Sequence, residues 1–350
     1  MGSEQENSPV IDTTGMSINQ IGIVVRDAAR TARRYSEIFG VGPWVFLDVE
    51  PTGGILHDEP LKEEYGVRLA LANLGKIQIE LLQPLYGPST HMEFLETHGE
   101  GVHHVSLGQV EQHDEIVAAA TGAGIGIEMQ SVLGGALTYT YLATQQQLGM
   151  ILELGKPVPD GTKVDLEPWG SYTPERPGRI DLAGKEIVQL GVVVGDAEAM
   201  AKRYWELLGI GPWVLIDFQP PHVAEGRLHG VRMRDEGEFH IRGAMANLGE
   251  MQFELLEPAA GPSSHREFLK THGDGIHHLS FGVAEDHDEM LEGFEAAGVE
   301  VEMTGRLGGA VNFTYVASQG DLGTILEFVK PIPGAENTLV PYGTYPPAES

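Results

Sequence analysis

A chain of 350 residues with 41% hydrophobic side chains is long enough for two domains with a core each, and its 46 Gly and 21 Pro promise frequent turns. Lys and Arg number 22 against 51 Asp and Glu, a formal charge of −29 that argues against nucleic acid and membrane surfaces as partners. Cysteine is absent, which excludes disulfides, thiolate nucleophiles and Cys-bound zinc, so any metal must rest on nitrogen and oxygen ligands.

In chain order, the opening MGSEQENSPVIDTTG has neither a basic start nor an apolar stretch. No apolar run approaches the roughly 20 residues of a membrane span. The expectation is a cytoplasmic protein with a disordered polar tail over residues 1–16.

From there the chain is written twice. INQIGIVVRDAARTARRYSEIFGVGPWV, from Ile18, returns as IVQLGVVVGDAEAMAKRYWELLGIGPWV, from Ile187. ANLGKIQIELLQP returns as ANLGEMQFELLEP, and LGGALTYTYLAT as LGGAVNFTYVAS. The second copy is slightly longer, with its extra residues inside HVAEGRLHGVRMRDEGEF. These limits give a first domain over 17–157, a linker over 158–185 that packs on it, a second domain over 186–331, and a tail over 332–350.

Within the first copy, a strand over 18–25 leads to an amphipathic helix over 28–39, where Ala32, Tyr35 and Phe39 recur at helical spacing. Gly40 and Gly42-Pro43 stop it, and strands follow near 44–49, 67–72 and 76–82. A second unit begins at Val102, with a helix near 114–120 and strands near Ile127, 137–142 and 150–154. Each copy is therefore two βαβββ modules, and the fold class is α+β.

Alternation along the strands then sorts the side chains. In GVHHVSLG, His103 shares a face with Val105 and Leu107, the apolar face expected against the helices, while His104 shares the other with Ser106. The repeat GIHHLSFG places His278 with Ser280 in the same way. Gln20 and Gln189, Glu80 and Glu254, and Glu153 and Glu327 also oppose their apolar neighbours. A curved sheet with helices outside gathers one Gln, two Glu and one His in each concavity. Two buried carboxylates there need a cation. Arg68 and Arg242 are the main side-chain candidates, and a divalent ion (Zn, Mn, Ni, Co, Fe or Mg) is the simpler compensation.

On these residues the chain resembles the vicinal oxygen chelate superfamily, which includes glyoxalase I, methylmalonyl-CoA epimerase, extradiol dioxygenases and bleomycin-resistance proteins. The segment ELLQPLYGPSTHMEFLETHGEGVHHVSL is most similar to the epimerase, whereas the order Gln, Glu, His, Glu is similar to eukaryotic-type glyoxalase I. The resemblance implies a tandem duplication of cup-shaped mixed sheets with a six-coordinate metal ion in each, two of its positions open to water or substrate oxygens. Gln20, Glu80, His104 and Glu153 form one ligand set, and Gln189, Glu254, His278 and Glu327 the other. It implies an isomerase, epimerase or lyase that moves a proton through a metal-stabilised enolate of a small carbonyl substrate. Glu153 and Glu327 are the first candidates for the proton-carrying base, then Glu80 and Glu254.

His57 and His229, aligned in an otherwise divergent loop, are candidates for a lid residue and second acid or base, against the plainer reading of solvated loop histidines. Tyr139 and Tyr141, with Phe313 and Tyr315, are expected to put alternate members into the cup. Two other functions compete. An extradiol dioxygenase wants Fe(II) on two His and one carboxylate, which a single inward His opposes. A metal-free binding protein is opposed by retention of all four positions. Scattered cations, Arg232, Arg234 and Arg242, give little support for a CoA or glutathione substrate. The fused pair is expected to be a monomer or a homodimer.

Overall fold

The computed structural model describes residues 8–158, 167–182, 184–233 and 239–347. The first repeat runs β1 (Gln20–Val24), α1 (Ala28–Phe39), β2 (Trp44–Val49), β3 (Thr52–Leu56), β4 (Glu59–Pro60), β5 (Gly66–Leu74) and β6 (Ile77–Tyr86). It continues with α2 (Thr90–Thr97), β7 (Gly101–Gln109), α3 (His113–Gly122), β8 (Ile127–Leu133), β9 (Leu137–Leu142), α4 (Gln145–Leu148), β10 (Ile151–Pro157) and β11 (Gly170–Tyr172). The second repeats this order: β12 (Gln189–Val193), α5 (Ala197–Leu208), β13 (Trp213–Phe218), β14 (Val223–Leu228), β15 (Val231–Arg232), β16 (His240–Leu248) and β17 (Met251–Ala260). Then come α6 (Ser264–His272), β18 (Gly275–Val283), α7 (His287–Ala296), β19 (Val301–Leu307), β20 (Val311–Val316), α8 (Gln319–Leu322), β21 (Ile325–Pro331) and β22 (Gly343–Tyr345).

Helix α1 starts where Asp27 accepts a hydrogen bond from the Arg30 N–H at 2.9 Å, and it ends at Gly40, whose φ of 69° suits glycine. Ala28, Ala32, Tyr35 and Phe39 bury one face. Asp196 and Gly209 bound α5 in the same way.

Each repeat closes one mixed sheet of eleven described strands. In the first the order is β11-β2-β5-β6-β1-β7-β10-β9-β8-β3-β4. Strand β1 is parallel to β6 and antiparallel to β7, and β10 is parallel to β7, so the modules meet at the β1–β7 seam. The four strands expected to carry inward polar residues are therefore neighbours, and the corresponding run in the second sheet is β17-β12-β18-β21.

One face of each sheet packs on its helices, and these layers merge into a single core that joins Ile21, Ile79 and Leu152 with Leu190, Phe253 and Phe328. The cup faces hold separate apolar clusters, with Leu69, Leu82, Tyr139 and Tyr141 in the first and Ile241, Leu256, Phe313 and Tyr315 in the second. Pseudosymmetric bonds join the repeats. The Tyr35 hydroxyl donates to the Leu322 carbonyl at 3.0 Å, and the Tyr204 hydroxyl to the Leu148 carbonyl at 2.7 Å.

Several expectations change. The tail is packed from residue 8, because Ile11 supplies an anchor: it is buried, and its N–H donates to the Leu207 carbonyl of α5 at 2.8 Å. Residues 1–7 lie outside the described residues, as do 159–166 of the linker and Arg234. Beyond that gap the linker adds β11 to the edge of β2, and the C-terminal segment adds β22 to β13. The β3–β4 hairpin and α2 had no counterpart in the sequence reading. Helix α2 is only eight residues long, and a single i,i+3 apolar pair, Met92 and Leu95, is too short a run to show a helical period.

Candidate metal centre

The site is built from the residue with the least freedom. His104 is fully buried on β7, and its imidazole lies over Gly22 of β1, where an added Cβ would sit 2.0 Å from the ring. Gly191 makes the same cradle for His278, at 1.9 Å. A strand-interior glycine costs chain entropy, and here it admits the imidazole. His104 Nε2 stands 3.4 Å from Glu153 Oε2 and 3.5 Å from Glu80 Oε2. Among the described residues, neither this nitrogen nor Glu153 Oε2 has a hydrogen-bond partner. In the second cup His278 Nε2, also without a partner, is 3.7 Å from Glu327 Oε2 and 3.8 Å from Glu254 Oε2.

Gln20 lies on the same face of β1, two residues from Gly22, and its amide donates to Gln78 Oε1 at 2.8 Å. Gln189 and Gln252 repeat that bond. The geometry thus groups each His with two Glu and leaves the Gln beside them, tied to a neighbouring Gln. The arginines do not reach the carboxylates. Arg68 makes a two-pronged pair with Asp48 at 2.7 and 2.8 Å and covers Trp169, while Arg242 pairs with Glu257 at 2.5 Å. Burial raises the carboxyls of Glu153 and Glu327 above their ordinary range, and burial with the neighbouring Glu327 raises Glu254 to about 8.

The placement of His103 overturns strict alternation. A β-bulge in β7 opposite the Gly22–Ile23 step inserts one extra residue, so Gly22 pairs with His104 while Ile23 pairs with Val102. His103 consequently packs against His91, Phe94 and Tyr141 on the cup side instead of joining Val105 among the helices. His277 does the same beside His265, Phe268 and Tyr315.

That bulge sets a direction of hydrogen bonding. Thr90 donates to Glu128 at 3.2 Å, so its oxygen is free to accept from His103 Nε2, also at 3.2 Å. Burial holds His103 neutral, which leaves its Nδ1 as the acceptor for His104 Nδ1 at 3.0 Å. His104 therefore donates through Nδ1 to His103 and turns Nε2 toward the two glutamates. In the second cup the link between His277 and His278 is kept at 3.1 Å, but His277 Nε2 has no partner among the described residues and Ser264 turns to Met303.

Three other features separate or extend the cups. One nitrogen from each of His91, His103 and His104 lies within 4.8 Å of the others, as in the triad of His265, His277 and His278. Tyr139 and Tyr141 both face the first cup, and the Tyr139 hydroxyl bonds that of Tyr65; Phe313 and Phe239 replace this phenol pair in the second. His57 and His229 stand outside the central group, each against a glutamate of α2 or α6. Sequence reasoning missed Gly22, Gly191, His91 and His265, and it put His103 and His277 on the wrong face. The repeated strand-interior glycine and the doubled histidine were the available signals.

By fold the chain is similar to a triple mutant of 4-hydroxymandelate synthase from Streptomyces coelicolor, at 12% identity and a TM-score of 0.55, with 92% of this chain and 95% of that one covered. It is also similar to the Mn(II)-bound glyoxalase from Novosphingobium aromaticivorans, at 12% identity and a TM-score of 0.46, over 90% of this chain and 82% of that one. Methylmalonyl-CoA epimerase from Mycobacterium tuberculosis, at 21% identity and a TM-score of 0.30, matches 41% of this chain and 87% of its own. No curated protein sequence matches. The family described as Glyoxalase/Bleomycin resistance protein/Dioxygenase superfamily matches residues 19–142 and 188–316, once over each repeat. With both duplicated cups covered, the chain belongs to that superfamily as two tandem domains.

Proposed function

We propose that each repeat holds one divalent cation at His104, Glu80 and Glu153 with Gln20, and at His278, Glu254 and Glu327 with Gln189, and that the protein is a metal-dependent isomerase, epimerase or lyase of small carbonyl compounds. One observation carries this reading: the unpartnered His104 Nε2 faces the buried carboxylate of Glu153 and the partly buried one of Glu80, and no Lys or Arg among the described residues pairs with either. The buried imidazoles of His91 and His103 are held neutral and need no such partner, so the carboxylate side of His104 is the better seat.

A bound divalent ion supplies Lewis-acid polarisation of two adjacent substrate oxygens. The chain supplies the rest. Glu153 and Glu327, on letting go of the ion, would take a proton from the carbon beside the carbonyl and return it to the other face or to the neighbouring carbon. Loss of a leaving group in place of the return gives elimination. The apolar walls, Leu69, Leu82 and Ile151 in the first cup, exclude water from that carbon.

A second reading, a ring-cleaving oxygenase, is favoured by one observation only, the bulge that brings His103 to the cup side of His104. Metal analysis of the purified protein beside a His104→Ala, His278→Ala variant tests the shared premise, with loss of two equivalents expected. Small 2-hydroxy and 2-oxo carbonyl compounds in deuterated water then divide the readings. Metal-dependent exchange of the adjacent hydrogen supports the isomerase, whereas oxygen uptake with catechols and no exchange moves the assignment to the oxygenase. Unchanged metal content in the double variant removes both.

A further inference from the structure

Each repeat carries a second His–Glu–Glu cluster away from the cup centre. His57 sits at the turn of the β3–β4 hairpin, Glu93 in the first turn of α2, and Glu128 in β8. His57 Nε2 is 2.7 Å from Glu93 Oε2, and its Nδ1 is 3.7 Å from Glu128 Oε1. One donor atom from each of the three lies within 4.8 Å of the others. The second repeat sets His229, Glu267 and Glu302 in the corresponding places, with His229 Nε2 2.9 Å from Glu267 Oε2. The backbone frame recurs as well: the His57 N–H donates to the Glu128 carbonyl at 3.0 Å, and the His229 N–H to the Glu302 carbonyl at 2.7 Å.

The residues around these clusters differ. GILHDEP in the first hairpin corresponds to GRLHGVR in the second, yet the histidine and both glutamates are kept. A surface ion pair accounts for His229 and Glu267, but it leaves Glu302 unexplained. That side chain is 8% exposed and faces His229 and Glu267, and its carboxylate accepts no hydrogen bond from a described residue. A largely buried carboxylate beside a second carboxylate draws a positive charge between them, and Glu267 pushes the His229 imidazole toward its charged form, so a protonated histidine and a bound cation are the two species that can fill that place.

We propose that the two clusters are rim sites for a divalent transition cation of the zinc class, one held by His57, Glu93 and Glu128 and the other by His229, Glu267 and Glu302. One imidazole nitrogen with two carboxylates is a donor set for such an ion, and open positions fall to water at this half-exposed surface. The 2.7 Å contact between His57 and Glu93 needs to open only to about 3 Å, the spacing of donors around zinc. The bound ion ties the hairpin to α2 and to the strand beneath it. In the second repeat this rim borders an apolar cleft of about 420 Å³ lined by His229 itself with Leu228, Met233, Phe239 and Pro262, so the tie fixes one wall of that cleft.

Zinc titration of the chelator-stripped, full-length chain tests the proposal. A His57→Asn, His229→Asn variant, in which asparagine tolerates the left-handed φ of 51° and 47° at these positions, binds two fewer zinc equivalents than the parent. Glu93→Gln with Glu267→Gln weakens the same two equivalents by at least about 10-fold and decides the matter alone should the asparagine variant fold poorly. The His104→Ala, His278→Ala variant keeps these equivalents, which separates the rim from the cups: if the cups bind nothing, the parent takes up two and the rim variant none. Equal zinc stoichiometry and affinity in the parent and a folded rim variant overturns the assignment.

Discussion

Gly22 and Gly191 have no side chain to offer, and each cup depends on that absence. Because an added Cβ would lie about one bond length from the imidazole, Gly22→Ala with Gly191→Ala must displace both histidines. The expected outcome is a folded protein, destabilised by about 1–3 kcal/mol, whose cups lose at least about 10-fold in metal affinity. Calorimetric metal titration beside a thermal melt checks it, and undiminished affinity would show that the ring does not have to rest on β1. His103 acts one bond further out. Replacing it with Ala leaves Glu80 and Glu153 in place but removes the acceptor of the His104 Nδ1 proton, and a loss of about 10- to 100-fold in affinity at the first cup is expected. Alternation along strands found His104, Glu80 and Glu153 directly. It gave no role to Gly22 or Gln78, because a residue's role as a cradle or a clamp exists only relative to the neighbouring strand.

Strand β7 shows where local pattern stops being informative. The doubled histidine obeys alternation up to His104 and breaks it at His103, since the bulge is imposed by the register against β1. Neighbouring strands also decide the acid–base behaviour. Strands β17 and β21 flank the β12–β18 pair, burying Glu254 and bringing Glu327 toward it; burial first and the second carboxylate after it raise Glu254 to about 8 in the metal-free chain, against about 4.3 in an unfolded one. The folded state therefore keeps a proton that the unfolded chain has already released. Stability from this group falls as pH climbs from about 4.3 to about 8 and levels off above. Chelator-stripped protein should melt several degrees lower at pH 8 than at pH 5, Glu254→Gln should flatten that slope, and divalent metal should reverse it. A melting point independent of pH in the parent would refute the burial of an uncompensated carboxylate.

At the scale of the molecule, the two repeats behave as one body because their helical faces share a core and their polar ties cross the seam. Arg34 of α1 reaches Asp321 at 2.8 and 3.0 Å and the Ala297 carbonyl at 2.9 Å, half hidden from solvent. Calorimetry is expected to show a single unfolding transition, and Arg34→Ala should lower its midpoint by an amount equivalent to about 1–3 kcal/mol. Two resolved transitions would mean that the repeats fold separately. Each cup, by contrast, is built within one repeat: Gln20, Glu80, His104 and Glu153 all belong to one sheet. The exchange of Tyr65 and Tyr139 for Phe239 and Phe313 makes the cups chemically unequal, one with a phenol pair and one without.

The amino-acid sequence by itself determined the duplication, the two modules per repeat, the helix from Ala28 to Phe39 and the face on which Gln20, Glu80, His104 and Glu153 lie, because repeats and periodicity are properties of the chain alone. Only the tertiary structure decided that β6, β1, β7 and β10 are neighbours, that Gly22 makes room for an imidazole, that His103 turns to the cup, and that Arg68 is spent on Asp48. Each of these depends on which strand pairs with which and in what register, and pairing is settled by contacts between residues far apart in the chain.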